Sequence, residues 1–131
     1  VRSLAKVASG GELSRIGLAI QVITSRDSAV PTLIFDEVDV GIGGRVAEIV
    51  GKLLARLGRD RQVLCVTHLP QVAACADWQW RIAKHERGGE TLSDVTALDG
   101  TARVEEIARM LGGVSITATT REHAAEMLGQ R

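Results

Sequence analysis

The 131-residue sequence predicts an α/β fold of mainly parallel strands with flanking helices, plus a β-hairpin. Three observations predict it. Two short apolar runs, Thr32-Leu33-Ile34-Phe35 and Val63-Leu64-Cys65-Val66, do not alternate, which fits strands buried on both faces of a parallel sheet. Between them the apolar residues fall at helical spacing, so the segment reads as a βαβ unit with parallel strands and a right-handed crossover. Beyond residue 78 the period drops to two on both sides of Gly88-Gly89, which is a hairpin pattern.

Taken in order, Leu13, Ile16, Ala19, Ile20 and Ile23 make an amphipathic helix from about Gly11 to Ser25. Asp27 to Pro31 is a polar turn, and the first strand stops at Asp36-Glu37. Gly41 to Gly44 is a loop. Val46, Ile49, Val50, Leu53, Leu54 and Leu57 form the next helix, closed by Gly58 and basic Arg59. The second strand ends at Thr67-His68, and Pro70 opens a short helix over Leu69 to Ala76. Trp78–His85 and Thr91–Leu98 are the hairpin strands, joined by a longer loop over Glu86 to Glu90. Val104, Ile107, Ala108 and Leu111 mark a helix ending at Gly112-Gly113, and a last one covers about Arg121 to Leu128.

Composition excludes several classes. Aromatic residues are 2% of the chain, so Val, Leu, Ile and Ala must build the core, which argues against an all-β sandwich. Sixteen basic residues balance 16 acidic ones, which argues against general electrostatic attachment to nucleic acid or lipid by this piece alone. No apolar segment approaches the ~20 residues that cross a bilayer, and Val1 to Lys6 lack the pattern of a secretion signal. The two cysteines, Cys65 and Cys75, cannot form a disulfide framework, so the expected compartment is the reduced cytoplasm.

In open α/β sheets reactive groups gather beyond the carboxyl ends of the strands. Here those ends carry Asp36-Glu37 and His68. An acid pair closing a buried strand suits magnesium and water activation: Asp36 holds the metal, usually through water, and Glu37 orients the attacking water. The plainer reading makes both residues loop caps. Ser9-Gly10-Gly11 opens a helix, where unpaired amides and the dipole favour an anion, and the glycines let a phosphate come close. Glu12 three residues on also completes an ordinary capping box, and the two readings are compatible.

Together the pieces are far more specific. Ala8-Ser9-Gly10-Gly11-Glu12-Leu13-Ser14-Arg15 resembles the signature motif of ABC-type ATPases. Thr32 to Glu37 resembles their Walker B strand, followed by a D-loop at Asp39, and Val66-Thr67-His68 resembles the switch-histidine segment. Transporter members usually carry proline after the catalytic Glu, whereas this chain has Val38-Asp39. With Phe35 to Gly44, Thr67 to Ala73 and Arg103 to Gly113, the chain is similar to the SMC-like, DNA-repair branch of that family over nearly its whole length.

No G-x-x-x-x-G-K-[ST] loop is present, and Gly51-Lys52 lies inside a predicted helix without the preceding glycines. The resemblance therefore implies that residues 1–131 are the C-terminal lobe of a split head, following a returning coiled-coil helix. It implies an ATPase using ATP and Mg2+, inactive as this piece alone. Glu37 and His68 would be catalytic, Asp36 would serve the metal, and Asp39 would lie in the D-loop. Ser9, Gly10, Gly11 and Glu12 would meet the nucleotide of a partner head in trans. Implied partners are the N-terminal half carrying Walker A, a second head in an ATP-dependent dimer, and DNA through the full protein. The implied setting is double-strand-break repair in the cytoplasm at the nucleoid, with no membrane. Rival readings are a non-catalytic docking module of a repair complex and half of another SMC-like or transporter ATPase.

Other residues carry plainer readings. Cys65, His68 and Cys75 lack a fourth ligand at zinc spacing, and an inert buried thiol suits Cys65 better. Trp78 and Trp80, with Arg81, Lys84 and Arg87, could form a strip for single-stranded DNA. The commoner arrangement puts both rings on one core-facing side.

Overall fold

The computed structural model of the protein describes residues 30–36, 39–113 and 115–129. The helix expected over Gly11 to Ser25 lies outside the described residues. The chain divides into two compact units, one up to Val72 and one from Ala73 onward.

In the first unit, β1 (Thr32–Phe35) and β2 (Gln62–Cys65) are joined by α1 (Gly44–Leu57). The strands pair in parallel, Thr32 opposite Gln62 through Phe35 opposite Cys65. Flanking bonds from Gln62 N–H to the Pro31 carbonyl and from Val66 N–H to the Phe35 carbonyl, both 2.9 Å, extend the ladder. The helical spacing places Ala47, Val50, Leu54 and Leu57 on one stripe of α1, buried with Phe35 and Val72. Leu33, Val63 and Cys65 pack on the same cluster. Ile34, on the opposite face of β1, is 67% exposed. The strand was expected to be covered on both faces. Within the described residues α1 supplies a layer for one face, so the strand shows the alternation of a half-covered sheet.

Gly43, in extended conformation, precedes α1, and Gly44 takes a φ of 50° that costs glycine nothing. Gly58 closes the helix at a right-handed φ of −68°, with its N–H on the Leu54 carbonyl at 2.9 Å. It is therefore not the left-handed cap that glycine at a helix end usually supplies. Lys52 sits exposed in α1 against Glu48 one turn earlier at 2.5 Å, in a surface pair rather than a phosphate loop.

The short helix expected from Leu69 to Ala76 is α2, Pro70–Ala73. In the second unit, β3 (Gln79–Arg87) and β4 (Glu90–Leu98) pair antiparallel. The connection is Gly88-Gly89 alone, with φ of 62° and 84°. Two left-handed residues in a row make the tight turn that matches strand twist, so pairing runs on to Arg87 opposite Glu90. The longer loop expected over Glu86 to Glu90 is thereby corrected.

The hairpin also corrects the expectation for the two tryptophans. Trp78 is 86% and Trp80 61% exposed. The register places Trp80 beside Ala97 and Ile82 beside Val95, so one face of the ribbon is apolar and open among the described residues. The core-facing arrangement presumes a covering layer, and the described residues provide none.

Asp99 starts α3 (Gly100–Gly112) four residues earlier than the first periodic apolar position, accepting from Ala102 N–H at 2.9 Å. Ile107 and Ala108 of α3 are buried with Ala124 of α4 (Ala118–Gly129) and with Ala73 and Ala74. Arg103 is buried too, donating to the carbonyls of Ala76 at 2.6 Å and Asp77 at 3.0 Å. It thus satisfies backbone acceptors in the connection between α2 and β3. No described helix is long and apolar enough to cross a membrane.

Arg103→Ala should lower unfolding stability by about 2 kcal/mol, because two carbonyls lose a charged donor. Urea unfolding followed by circular dichroism measures this, and an unchanged midpoint would show that the guanidinium is not what satisfies them.

Candidate functional site at the ends of β1 and β2

The parallel register brings Phe35 and Cys65 to the same level, so the segments after both strands emerge side by side. Asp36 follows β1 directly and is exposed. The chain then turns at Asp39, whose carbonyl accepts Ile42 N–H at 3.3 Å. Gly41 occupies the third position of this turn with a φ of 72°, a conformation few other residues adopt.

The turn sends the Asp39 side chain inward, where it is 3% exposed. Its Oδ2 accepts the Thr67 hydroxyl at 2.5 Å and the His68 N–H at 2.8 Å. The His68 ring lies against the same oxygen, Nδ1 at 3.0 Å, with most of the imidazole exposed. Thr67 Oγ1 in turn accepts Leu69 N–H at 3.0 Å, which fixes the hydroxyl with its proton toward the acid. One buried carboxylate therefore binds the loop after β1 to the loop after β2.

Burial alone pushes the Asp39 carboxyl up. The bonds from Thr67 and from the His68 amide, with the charge of the His68 ring, outweigh it and hold the group below its ordinary value of 3.8. The stabilisation from this network is complete above that value and is lost as pH falls through it and below.

Of the residues singled out in the sequence, the structure brings Asp39 and His68 into contact and places Asp36 at the same end of the sheet. Ser9, Gly10, Gly11, Glu12 and Glu37 lie outside the described residues. Thr67 received no role from sequence reasoning. The available signal was a hydroxyl wedged between an apolar run and the histidine. Buried Arg103 and Glu106 were missed as well, the latter holding Arg109 through two bonds of 2.6 and 2.9 Å.

Among the described residues no three His, Cys, Asp or Glu side chains are grouped to hold a metal ion. An exposed carboxylate such as Asp36 at a strand end suits a hard ion that keeps most of its water, as magnesium does, better than a caged zinc. Cys65 is half-buried against the core of the first unit, its thiol donating weakly to the Val66 carbonyl at 3.8 Å. Burial, followed by the negative charges of Asp39 and Asp36, pushes that thiol up to about 11.

The sequence and the fold both have relatives. The chain is 56% identical to DNA repair protein RecN of Vibrio cholerae over 128 residues, 98% of this chain and 23% of that protein. It is 58% identical to RecN of Haemophilus influenzae over 125 residues (95% and 22%), and 49% identical to RecN of Bacillus subtilis over 130 (99% and 23%). The chain thus spans under a quarter of the length of these relatives. No protein-family model matches it. Among solved structures, the Smc head domain with a coiled coil and joint from Pyrococcus yayanosii superposes with a TM-score of 0.63 and 26% identity. That match covers 77% of this chain and 19% of that one. A chain solved in work on ATP-driven dimerization and DNA-stimulated activation of SMC ATPases gives a TM-score of 0.65 at 21% identity, covering 84% and 66%. The fold is thus the α/β fold of SMC head fragments.

In a Cys75→Ser variant, the Cys65 thiol should titrate near pH 11, read as thiolate absorbance. At pH 8 it should alkylate on the order of a hundredfold more slowly than an exposed thiol of ordinary pKa. Because the folded value is raised, folding stability should also fall as pH rises from about 9 toward 11. Rapid alkylation at pH 8 would contradict the burial.

Proposed function

We propose, from the premise that this is RecN-type sequence along nearly its whole length, that residues 1–131 form the C-terminal half of a split ABC-type ATPase head. In this reading the chain supplies half of an ATP-binding and hydrolysing site in a protein of DNA double-strand-break repair and recombination. The N-terminal half of the same head supplies the Walker A loop that this sequence lacks. The whole protein meets DNA and works in the cytoplasm at the nucleoid.

The observation that carries this reading is the cross-tie of Asp39 to Thr67 and His68. It holds an imidazole at the same sheet end as Asp36, where open α/β sheets take their ligands. The motifs by which this sequence resembles an SMC-like ATPase fall at those positions in the expected order, which supports the reading. In the proposed mechanism Glu37 orients water for attack on the terminal phosphate, and His68 meets a phosphate oxygen of the same nucleotide. Asp36 would hold Mg2+, and that ion would neutralise phosphate charge. Ser9, Gly10 and Gly11 present backbone amides to the nucleotide of a second head, with Glu12 capping their helix. Phosphoryl transfer depends on positioning and electrostatics, so a site completed across an interface makes head assembly the switch.

A docking module without hydrolysis is the second reading, and the open apolar face of the hairpin favours it. The two differ at Glu37. In the full-length protein, Glu37→Gln should retain ATP binding and reduce hydrolysis by roughly a hundredfold to a thousandfold. Wild-type turnover would remove Glu37 from the mechanism, and an unsubstituted protein that hydrolyses no ATP would leave docking. Ser9→Arg should abolish the ATP-dependent dimer seen by size-exclusion chromatography, since a long cation replaces the small cap. A normal dimer would refute the contact in trans.

A further inference from the structure

His68 has two ring nitrogens, and a neutral imidazole carries its proton on only one of them. The Asp39 carboxylate decides which. Its Oδ2 lies 3.0 Å from Nδ1, and an ionised carboxylate can only accept hydrogen bonds. The same oxygen is held from two further directions, by the Thr67 hydroxyl and by the His68 main-chain N–H. The acid is therefore fixed by the backbone of the residue whose ring it contacts, and it is buried while that ring is exposed.

We propose that Asp39 is a positioning residue for His68, accepting a hydrogen bond from Nδ1–H and thereby presenting Nε2 as the ring nitrogen that meets the ligand. A carboxylate behind an imidazole fixes both tautomer and orientation. Nε2 can then accept a proton while the ring is neutral, and donate to a phosphate oxygen once the ring is protonated. Thr67 keeps the acid in place without touching the ring. The inference rests on the reading of His68 as the residue that faces nucleotide, but the tautomer is a property of the free protein and is measured without ATP.

The test uses the full-length protein labelled with 15N-histidine, with the His68 signals identified by their loss in His68→Gln. The neutral ring should show a protonated Nδ1 and a bare Nε2 in long-range 1H–15N spectra. Thr67→Ala should retain that signature, because the ring contact does not pass through the hydroxyl. Asp39→Asn keeps the size of the acid but offers an NH2 group, and should move the proton to Nε2. It should also lower kcat for ATP roughly 10- to 100-fold with little change in KM. A merely structural tie would make Thr67→Ala and Asp39→Asn alike in both readouts, and that result would overturn the proposal. So would a wild-type spectrum with the proton on Nε2, which needs no variant to fold. A wild-type protein with the Nδ1–H signature but no ATP hydrolysis would support the positioning by Asp39 and defeat the functional reading separately.

Discussion

Taking a carboxylate out of water costs several kcal/mol unless donors surround it, and Asp39 is nearly fully withdrawn. It is tolerated because a hydroxyl and a main-chain amide donate to one of its oxygens, with an imidazole nitrogen 3.0 Å from the same atom. Those donors come from the segment after β2, while the acid comes from the turn after β1. The tie therefore does what two strands of four residues each cannot do alone, which is to fix the spacing of the loops beyond them. The position of His68 and the environment of Cys65 both depend on it.

How far the fold was legible follows from which forces act locally. The strand–helix–strand portion was legible because its signals are periodic: α1 needs apolar residues at three and four, and both strands are short unbroken apolar runs. Parallel pairing followed, because a helix separates the strands. The hairpin was legible as a hairpin, but its turn was read too long, since Glu86 and Glu90 look like loop residues until Gly88 and Gly89 take two consecutive left-handed conformations. The start of α3 was set by Asp99, a capping side chain outside the apolar pattern. Trp78 and Trp80 were misjudged for another reason. Alternation says which residues share a face, and says nothing about whether anything covers it.

The candidate site was legible as a place and not as a set of contacts. Residues at the carboxyl ends of parallel strands converge whatever their identity, so Asp36 and His68 could be assigned to one edge from the strand boundaries. That Asp39 would turn inward required the local chain path: the turn at Val40-Gly41, and the register that sets Phe35 beside Cys65. Neither is a pattern of residue types. Thr67 was passed over because its hydroxyl acts on another loop, 28 residues away in sequence.

The same physics separates what this chain can hold ready from what must be brought to it. An imidazole and two carboxylates can be arranged on one sheet edge by bonds within the first unit, and the cross-tie does this without a ligand. A phosphate needs more: a cradle of backbone amides and a lysine close to the transferring group, which α1 does not offer, its Lys52 being paired with Glu48 on the surface. Under the proposed function those groups arrive with other parts of the head and with a second head. Preorganisation inside this lobe then matters the more, since each group already in place removes one adjustment from the moment of assembly. Asp39 is buried and bonded, while Asp36 and the His68 ring stay exposed beside it. An edge built to be completed from outside requires that division between fixed support and open reactive groups.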